Sequence, residues 1–269
     1  MRAAFVTPRR LRVVDVALTP PGWPASLDGL RVAVVSDLHA GAPFVGVRRV
    51  REVVRRVLLA GPELVLLLGD HLADVALGRH VSPAELARAL AGLSAVPVVG
   101  VLGNHDWYAG GHRVRAALEA VGLPVLEESA VPVLDGRLWI AGVGDLWERS
   151  PDVVAALADV PEGAPVVLLT HNPDVALEVP AHVQLVLAGH THGGQVALLG
   201  RPLHRISERT GNRFTRGWYA DLRLYLTSGV GSSTLPLRTV VPEVPVLVLS
   251  ADGAAPAPCT RQGRVPTWD

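Results

Sequence analysis

The chain has one cysteine, no lysine and few aromatic residues: six Trp, three Tyr and three Phe. The lone Cys259 has no partner, which excludes an intrachain disulfide and a cysteine-ligated zinc site. A net charge is missing too, because 25 basic and 25 acidic residues cancel. No global field therefore draws the protein toward nucleic acid or an anionic membrane, and any anion binding must be local. No apolar run reaches the roughly 18 to 20 residues that span a bilayer, since Gly, Pro or a charge interrupts each one. All the basic residues are Arg, unclustered, which fits the codon bias of a GC-rich genome better than an arginine-lined phosphate surface. Arg9-Arg10 do not read as a twin-arginine signal, because Leu11 to Leu18 carries Arg12 and Asp15 where an apolar region would stand.

Hydrophobic residues are plentiful, 49% of 269, enough to fill the core of one large α/β domain over residues 1–250. The remaining residues, 251–269, read as a poorly ordered tail. Residues 11–18 alternate like an edge strand. Short apolar runs at Val32 to Val35, Leu64 to Leu68, Val98 to Leu102, Val166 to Leu169 and Val183 to Leu187 read as strands buried on both faces. Between them, spacing predicts helices over Val47 to Leu59, Pro83 to Leu93 with Ser82 as its cap, Arg113 to Val121, and Asp152 to Leu157. A hairpin is expected over 131–143, turning at Asp135-Gly136, and strands near Leu222 to Thr227 and Val244 to Ser250.

The informative residues stand at the carboxyl ends of the five buried runs. These ends read Ser36-Asp37-Leu38-His39, Gly69-Asp70-His71, Gly103-Asn104-His105-Asp106, Thr170-His171-Asn172-Pro173 and Gly189-His190-Thr191-His192. In open α/β sheets such loops converge on one site. Asp37 and His39 are two residues apart, and on an extended segment they would share a face. One Asp or His at a strand end is usually a turn or cap residue. Five loops each offering metal-binding groups exceed what turn chemistry supplies, since turns favour Gly, Pro and Ser as well.

The ordered set Asp-x-His-x-Gly, Gly-Asp, Gly-Asn-His-Asp, Thr-His and Gly-His-Thr-His resembles the calcineurin-like metallophosphoesterase superfamily. The wording around Ser36 to His39, His171 to Asp174 and Gly189 to Gln195 resembles a bacterial branch. That branch includes membrane-associated phosphodiesterases and a UDP-2,3-diacylglucosamine pyrophosphatase. Thr227 to Gly231, Leu235 to Arg238 and Pro242-Glu243 share the likeness, which spans roughly residues 11–249. Many superfamily members carry an acidic residue three positions after the second-motif aspartate, where this chain has Ala73 and then Asp74.

The resemblance implies a four-layer αββα fold, a two-sheet β-sandwich flanked by helices. It also implies two divalent ions, Mn, Fe or Zn. One would take Asp37, His39 and His192, the other Asn104, His171 and His190, with Asp70 bridging. Such mixed imidazole, carboxylate and amide ligation without thiolate suits those ions. The implied reaction is hydrolysis of a phosphodiester or pyrophosphate by a hydroxide shared between the ions; a phosphomonoesterase or a non-catalytic metal-binding scaffold is the alternative. His105 would touch the transferring phosphoryl group and protonate the leaving oxygen, with Asp106 supporting it or capping a helix. The substrate would be a phosphate-ester or nucleotide-linked small molecule, lipid-linked in one variant. A nuclease would show a basic groove, so nucleic acid is not expected as a partner. The expected location is the cytoplasm, with peripheral attachment to a membrane as the other option. His71, Trp107-Tyr108, Arg238 and the Gly229 to Ser233 loop are further candidates for substrate contact, against packing roles. His80, His112, His182 and His204 read as surface residues.

Overall fold

The computed structural model describes residues 9–74, 78–198, 201–202, 207, 209–232 and 237–251. Cys259, His204, Ser233, Leu235, Pro236 and the tail from residue 252 lie outside that set.

In chain order the elements are β1 (Arg12–Leu18), β2 (Leu30–Val35), α1 (Val47–Leu59), β3 (Leu64–Leu68), α2 (Pro83–Leu90), β4 (Val98–Val101), α3 (Asn104–Tyr108), α4 (Gly111–Glu119), β5 (Ser129–Val133), β6 (Leu138–Gly142), α5 (Val153–Leu157), β7 (Val166–Leu169), β8 (Leu185–Ala188), β9 (Ala197–Leu198), β10 (Arg201–Pro202), β11 (Gly217–Tyr219), β12 (Leu224–Leu226) and β13 (Glu243–Leu249). One large sheet runs β1-β13-β2-β3-β4 and a second β11-β12-β8-β7-β6-β5, with β9 and β10 forming a small antiparallel pair. Strands β2, β3 and β4 are mutually parallel, as are β6, β7, β8 and β12. All their carboxyl ends can therefore carry loops to one rim.

Alternation along the strands builds the layers. Val32, Val34, Leu64, Leu66 and Leu68 meet Leu138, Ile140, Val167, Leu169, Leu185 and Leu187 of the opposite sheet. The intervening Ala33, Val35, Val65 and Leu67 face Val50, Val53 and Val57 of α1, Leu86 and Leu90 of α2, and Leu118 of α4. On the far side Val166, Leu168 and Val186 pack with Val153 and Ala156 of α5. The result is helices, sheet, sheet and helices, the expected αββα arrangement.

Local chemistry fixes the boundaries. Ser82 Oγ accepts from the Glu85 main-chain N–H while the Glu85 carboxylate accepts from Ser82, and Pro83 opens the helix. Helix α2 stops at Leu90, three residues short of the predicted end, and tightens into a 3-10 turn over Ala91–Ala95 that contains Gly92. The predicted hairpin is present, its turn running through Leu134, Asp135 and Gly136 at positive φ. Helix α3 was not expected: the Gly103 to Asp106 segment reads as a loop in sequence. No helix among the described residues is long and apolar enough to cross a membrane.

Candidate metal centre

Each of the five strand-end loops delivers its side chains to one buried cluster. Three groups of donor atoms form, each group lying within 4.8 Å: Asp37, His39 and His192; His39, Asp70 and His105; and Asp70, His171 and His190. Asp70 belongs to two of them. Its Oδ2 lies 3.5 Å from His39 Nε2 and 3.2 Å from His171 Nε2, so a single oxygen is approached from both sides. Its Oδ1 accepts from the His105 main-chain N–H at 2.9 Å.

The backbone geometry differs from expectation. Asp37 (φ 52°) and His39 (φ 47°) are not extended but left-handed, and so are Asp70 (53°), His190 (72°) and His192 (53°). Such conformations are uncommon outside glycine and cost about 1 to 3 kcal/mol each unless surrounding structure enforces them. The enforcement is visible. The Asp37 N–H donates to Gly69 O (3.0 Å), that of His39 to Asp70 O (2.9 Å), and that of His190 to the Asp37 carboxylate (3.1 and 3.2 Å). Close approach also demands glycine at two points: a Cβ on Gly103 would collide with Asp70 Oδ1, and one on Gly189 with Ser36 Oγ.

Tautomers follow from the partners. His171 Nδ1 meets the Leu68 carbonyl at 2.7 Å, and His192 Nδ1 meets that of Gly231 at 3.3 Å. A carbonyl only accepts, so each Nδ1 carries a proton and each Nε2 is free to face the cluster. There His171 Nε2 confronts a carboxylate oxygen of Asp70, and His192 Nε2 sits 3.1 Å from His39 Nε2 and 3.5 Å from Asp37 Oδ1. Lone pairs so directed call for a positive charge between them, a proton or a cation.

Without a cation the proton goes to His171. Burial opposes its charge, but Asp70, Asp37 and Asp145 outweigh burial and lift it to about 10. In turn, His171 holds Asp70 well below the usual carboxylate range against the opposing effect of burial. Burial and the neighbouring His171 press His190 down to about 3. Burial alone dominates His192, at about 4, and His39, which is also well below its ordinary value. Neutral imidazoles beside two carboxylates are the form that ligates metal. Asn104 Oδ1, at the start of α3, is buried with no hydrogen-bond partner among the described residues, an orphaned acceptor fitting the same purpose. The residues thus fit divalent ions by donor type and burial, with His171 having a proton to give up when an ion enters.

The family profile described as "Calcineurin-like phosphoesterase" matches residues 30–194, which covers all five loops. The chain belongs to that family. Among relatives of this calcineurin-like phosphoesterase, a transmembrane protein with metallophosphoesterase domain from Danio rerio is 32% identical over 84% of this chain. The alignment covers 54% of the fish protein, so the chain spans about half of that relative's length. Phosphodiesterase YaeI of Escherichia coli is 30% identical, covering 81% of this chain and 82% of YaeI. A solved structure of the calcineurin-like phosphoesterase YfkN from Bacillus subtilis matches with TM-score 0.42 and 12% identity, covering 80% of each chain.

Around these candidate ligands, several residues take positions between which the sequence had left a choice. Asp106 turns both oxygens to main-chain donors: Oδ1 takes the N–H of His71 (2.9 Å) and Leu72 (3.0 Å), and Oδ2 that of Gly103 (3.1 Å). It ties the second loop to the third. His71 is fully buried with Nε2 against the Val101 carbonyl, a packing position. Arg238 is fully buried too, its guanidinium spent on the carbonyls of Ser228, Gly229, Gly231 and Val240, so it braces the loop above Asp37 instead of facing solvent. Trp107 lies beneath the Arg149 guanidinium, 4.6 Å away, within the packing. His80, His112 and His182 are exposed as expected, and Asp74 is exposed, so it does not replace the acidic residue missing at Ala73.

One site residue escaped sequence reading. Asp145, just beyond β6, is fully buried, with Oδ1 lacking a hydrogen-bond partner among the described residues. Its charge acts on both His171 and Asp70. The Gly144-Asp145 pair repeats the Gly69-Asp70 pattern at a sixth strand end, which was the available signal.

Proposed function

We propose that this chain is a binuclear metal-dependent hydrolase of a phosphodiester or pyrophosphate. The observation that carries the reading is the single Asp70 oxygen reached by imidazoles of two donor groups, His39 and His171. Asp37, His39 and His192 would hold one ion, Asn104, His171 and His190 the other, and Asp70 both. Two such ions supply a water of lowered pKa and positive charge for the phosphoryl oxygens.

The chain's own residues provide the rest. His171 and His192 keep their Nε2 atoms pointed inward through the Leu68 and Gly231 carbonyls. His105, only partly buried and edge-on to His39 at 4.8 Å between ring centroids, is placed to touch a phosphoryl group and pass a proton to the leaving oxygen. Asp106 fixes the turn from which His105 projects. A scaffold that had lost catalysis would be expected to have lost at least one of Asp70, His171 or His190, and all three are present.

Purified protein supplied with Mn(II) is expected to hydrolyse bis(p-nitrophenyl) phosphate. Asp70→Asn should lower that rate at least a thousandfold and strip the bound metal. Full activity in this variant would remove Asp70 from its bridging role and the binuclear reading with it.

A further inference from the structure

The described residues include ten aromatic side chains outside the histidines, and just two of them, Tyr108 and Trp147, are exposed, at 47% and 50%. Both stand at the metal centre. Trp147 meets His190 at right angles, ring centroids 4.4 Å apart, and Tyr108 meets His105 edge-on at 5.5 Å. Half of a large apolar ring left in water forgoes much of the free energy its burial would contribute. Loose chain would not hold it there.

The turn that presents Trp147 is braced instead. Asp145 Oδ2 accepts from the main-chain N–H groups of Trp147 (2.8 Å) and Glu148 (3.0 Å), and Asp145 O from that of Arg149 (2.9 Å). Arg149 in turn is anchored on Glu127 at 2.5 Å and over Trp107. Burial and the neighbouring Glu148, the residue after Trp147, raise the Tyr108 hydroxyl above its ordinary value, which puts the phenol within reach of this turn.

We propose that Trp147 and Tyr108 form a subsite that grips a flat, uncharged aromatic ring carried by the substrate beside its scissile phosphate. This rests on the phosphoesterase reading above. Glu148, exposed beside Trp147, makes the rim acidic, so a second phosphate is repelled from it and the uncharged part of the substrate is accepted. The polar tips, a phenol, a carboxylate and an amide, interrupt the apolar surface that an acyl chain would need. Flat rings with hydrogen-bonding edges suit both features: stacking on Trp and Tyr tolerates any such ring, whether a nucleobase or a simple aryl group.

The test compares kcat/KM for three diesters on Mn(II)-loaded protein: methyl p-nitrophenyl phosphate, the methyl ester of adenosine 5′-monophosphate, and ringless glycerophosphoethanolamine. Trp147→Ala should lower the ratio of ring-bearing to ringless kcat/KM about tenfold, chiefly through KM, and Trp147→Phe should keep it within about threefold. A larger fall with the adenosine ester identifies a nucleobase, and one with the p-nitrophenyl ester an aryl group. An unchanged ratio overturns the subsite, as does a parallel fall for all three with loss of bound metal, which would mean that Trp147 only props His190. Equilibrium binding of adenosine 5′-monophosphate against ribose 5-phosphate reads the same ratio without turnover. An inactive protein would thus defeat the phosphoesterase reading while the subsite is still tested.

Discussion

The strands and the loops that leave them obey opposite rules. Within β3 every residue is apolar, buried and extended; two residues beyond its end, Asp70 is charged, buried and left-handed. The same change occurs after β2 at Asp37, and after β8 the left-handed residue is His190, part-buried and neutral. Strand interiors satisfy each local preference, whereas the loops violate several at once: positive φ on residues bearing side chains, ionisable groups out of water, and imidazole lone pairs aimed at one another. Local conflict of this kind persists only where rigid surroundings impose it, and it concentrates at functional sites. The sandwich supplies the rigidity, since hydrogen bonds from Asp37 and His39 to the neighbouring loop lock each deviation in place.

His105 sharpens the contrast, because it is not among the left-handed residues and sits in the short helix α3. If His105 acts on substrate and does not hold an ion, His105→Ala should lower kcat a hundredfold or more while metal content and melting temperature stay close to wild type. Loss of an ion in that variant, read by elemental analysis, would instead make His105 a ligand, an assignment its nearness to His39 and Asp70 permits.

A smaller effect probes the backbone directly. At His190, a glycine substitution should leave the metal-free protein about 1 kcal/mol more stable than alanine does, because alanine retains a Cβ in the left-handed region. At Val34 in β2 the order should reverse, glycine being the worse by about 0.5 to 1 kcal/mol. Urea denaturation of the four variants measures both differences. The same sign at both positions would erase the distinction between strand and loop.

Sequence reading reached the sheet and helix framework because binary patterning carries it. The run Leu64 to Leu68 and the stripe of Val50, Val53, Val54 and Val57 on α1 leave no other way to bury their apolar surface. It also brought Asp37, His39, Asp70, Asn104, His171, His190 and His192 to adjacent loops, since strand ends of parallel sheets share a rim. Conformation within those loops was not legible. An x-Asp-x-His spacing suggests an extended clamp, and nothing local announces that the main chain of the neighbouring loop forces both residues into the left-handed region. For Asp106 the sequence left support of His105 and helix capping both open, and α3 with its three main-chain donors gives it the capping position. For Arg238 substrate contact and packing both stayed open, because its carbonyl partners, at Ser228 to Gly231 and Val240, come from loop curvature that no periodicity encodes. Asp145 lacked a second ligand nearby in sequence, and only the fold brings it toward His171.

Protonation gives the account its most direct test. In the metal-free protein His171 is lifted from 6.5 to about 10, so the stability conferred by its pairing with Asp70 is complete below pH 6.5 and is lost as pH rises through about 10. His190 and His192, pressed down to about 3 and 4, act oppositely: their contribution is complete above 6.5 and is lost as pH falls toward those values. An ion entering between His171 and Asp70 must displace the proton. Calorimetric titration of Mn(II) into metal-free protein at pH 8, repeated in buffers of different ionisation enthalpy, measures both events together. Two ions should bind per chain with release of at least one proton, that of His171 together with any lost by a metal-bound water; a single ion, or binding with no proton released, would contradict the binuclear reading.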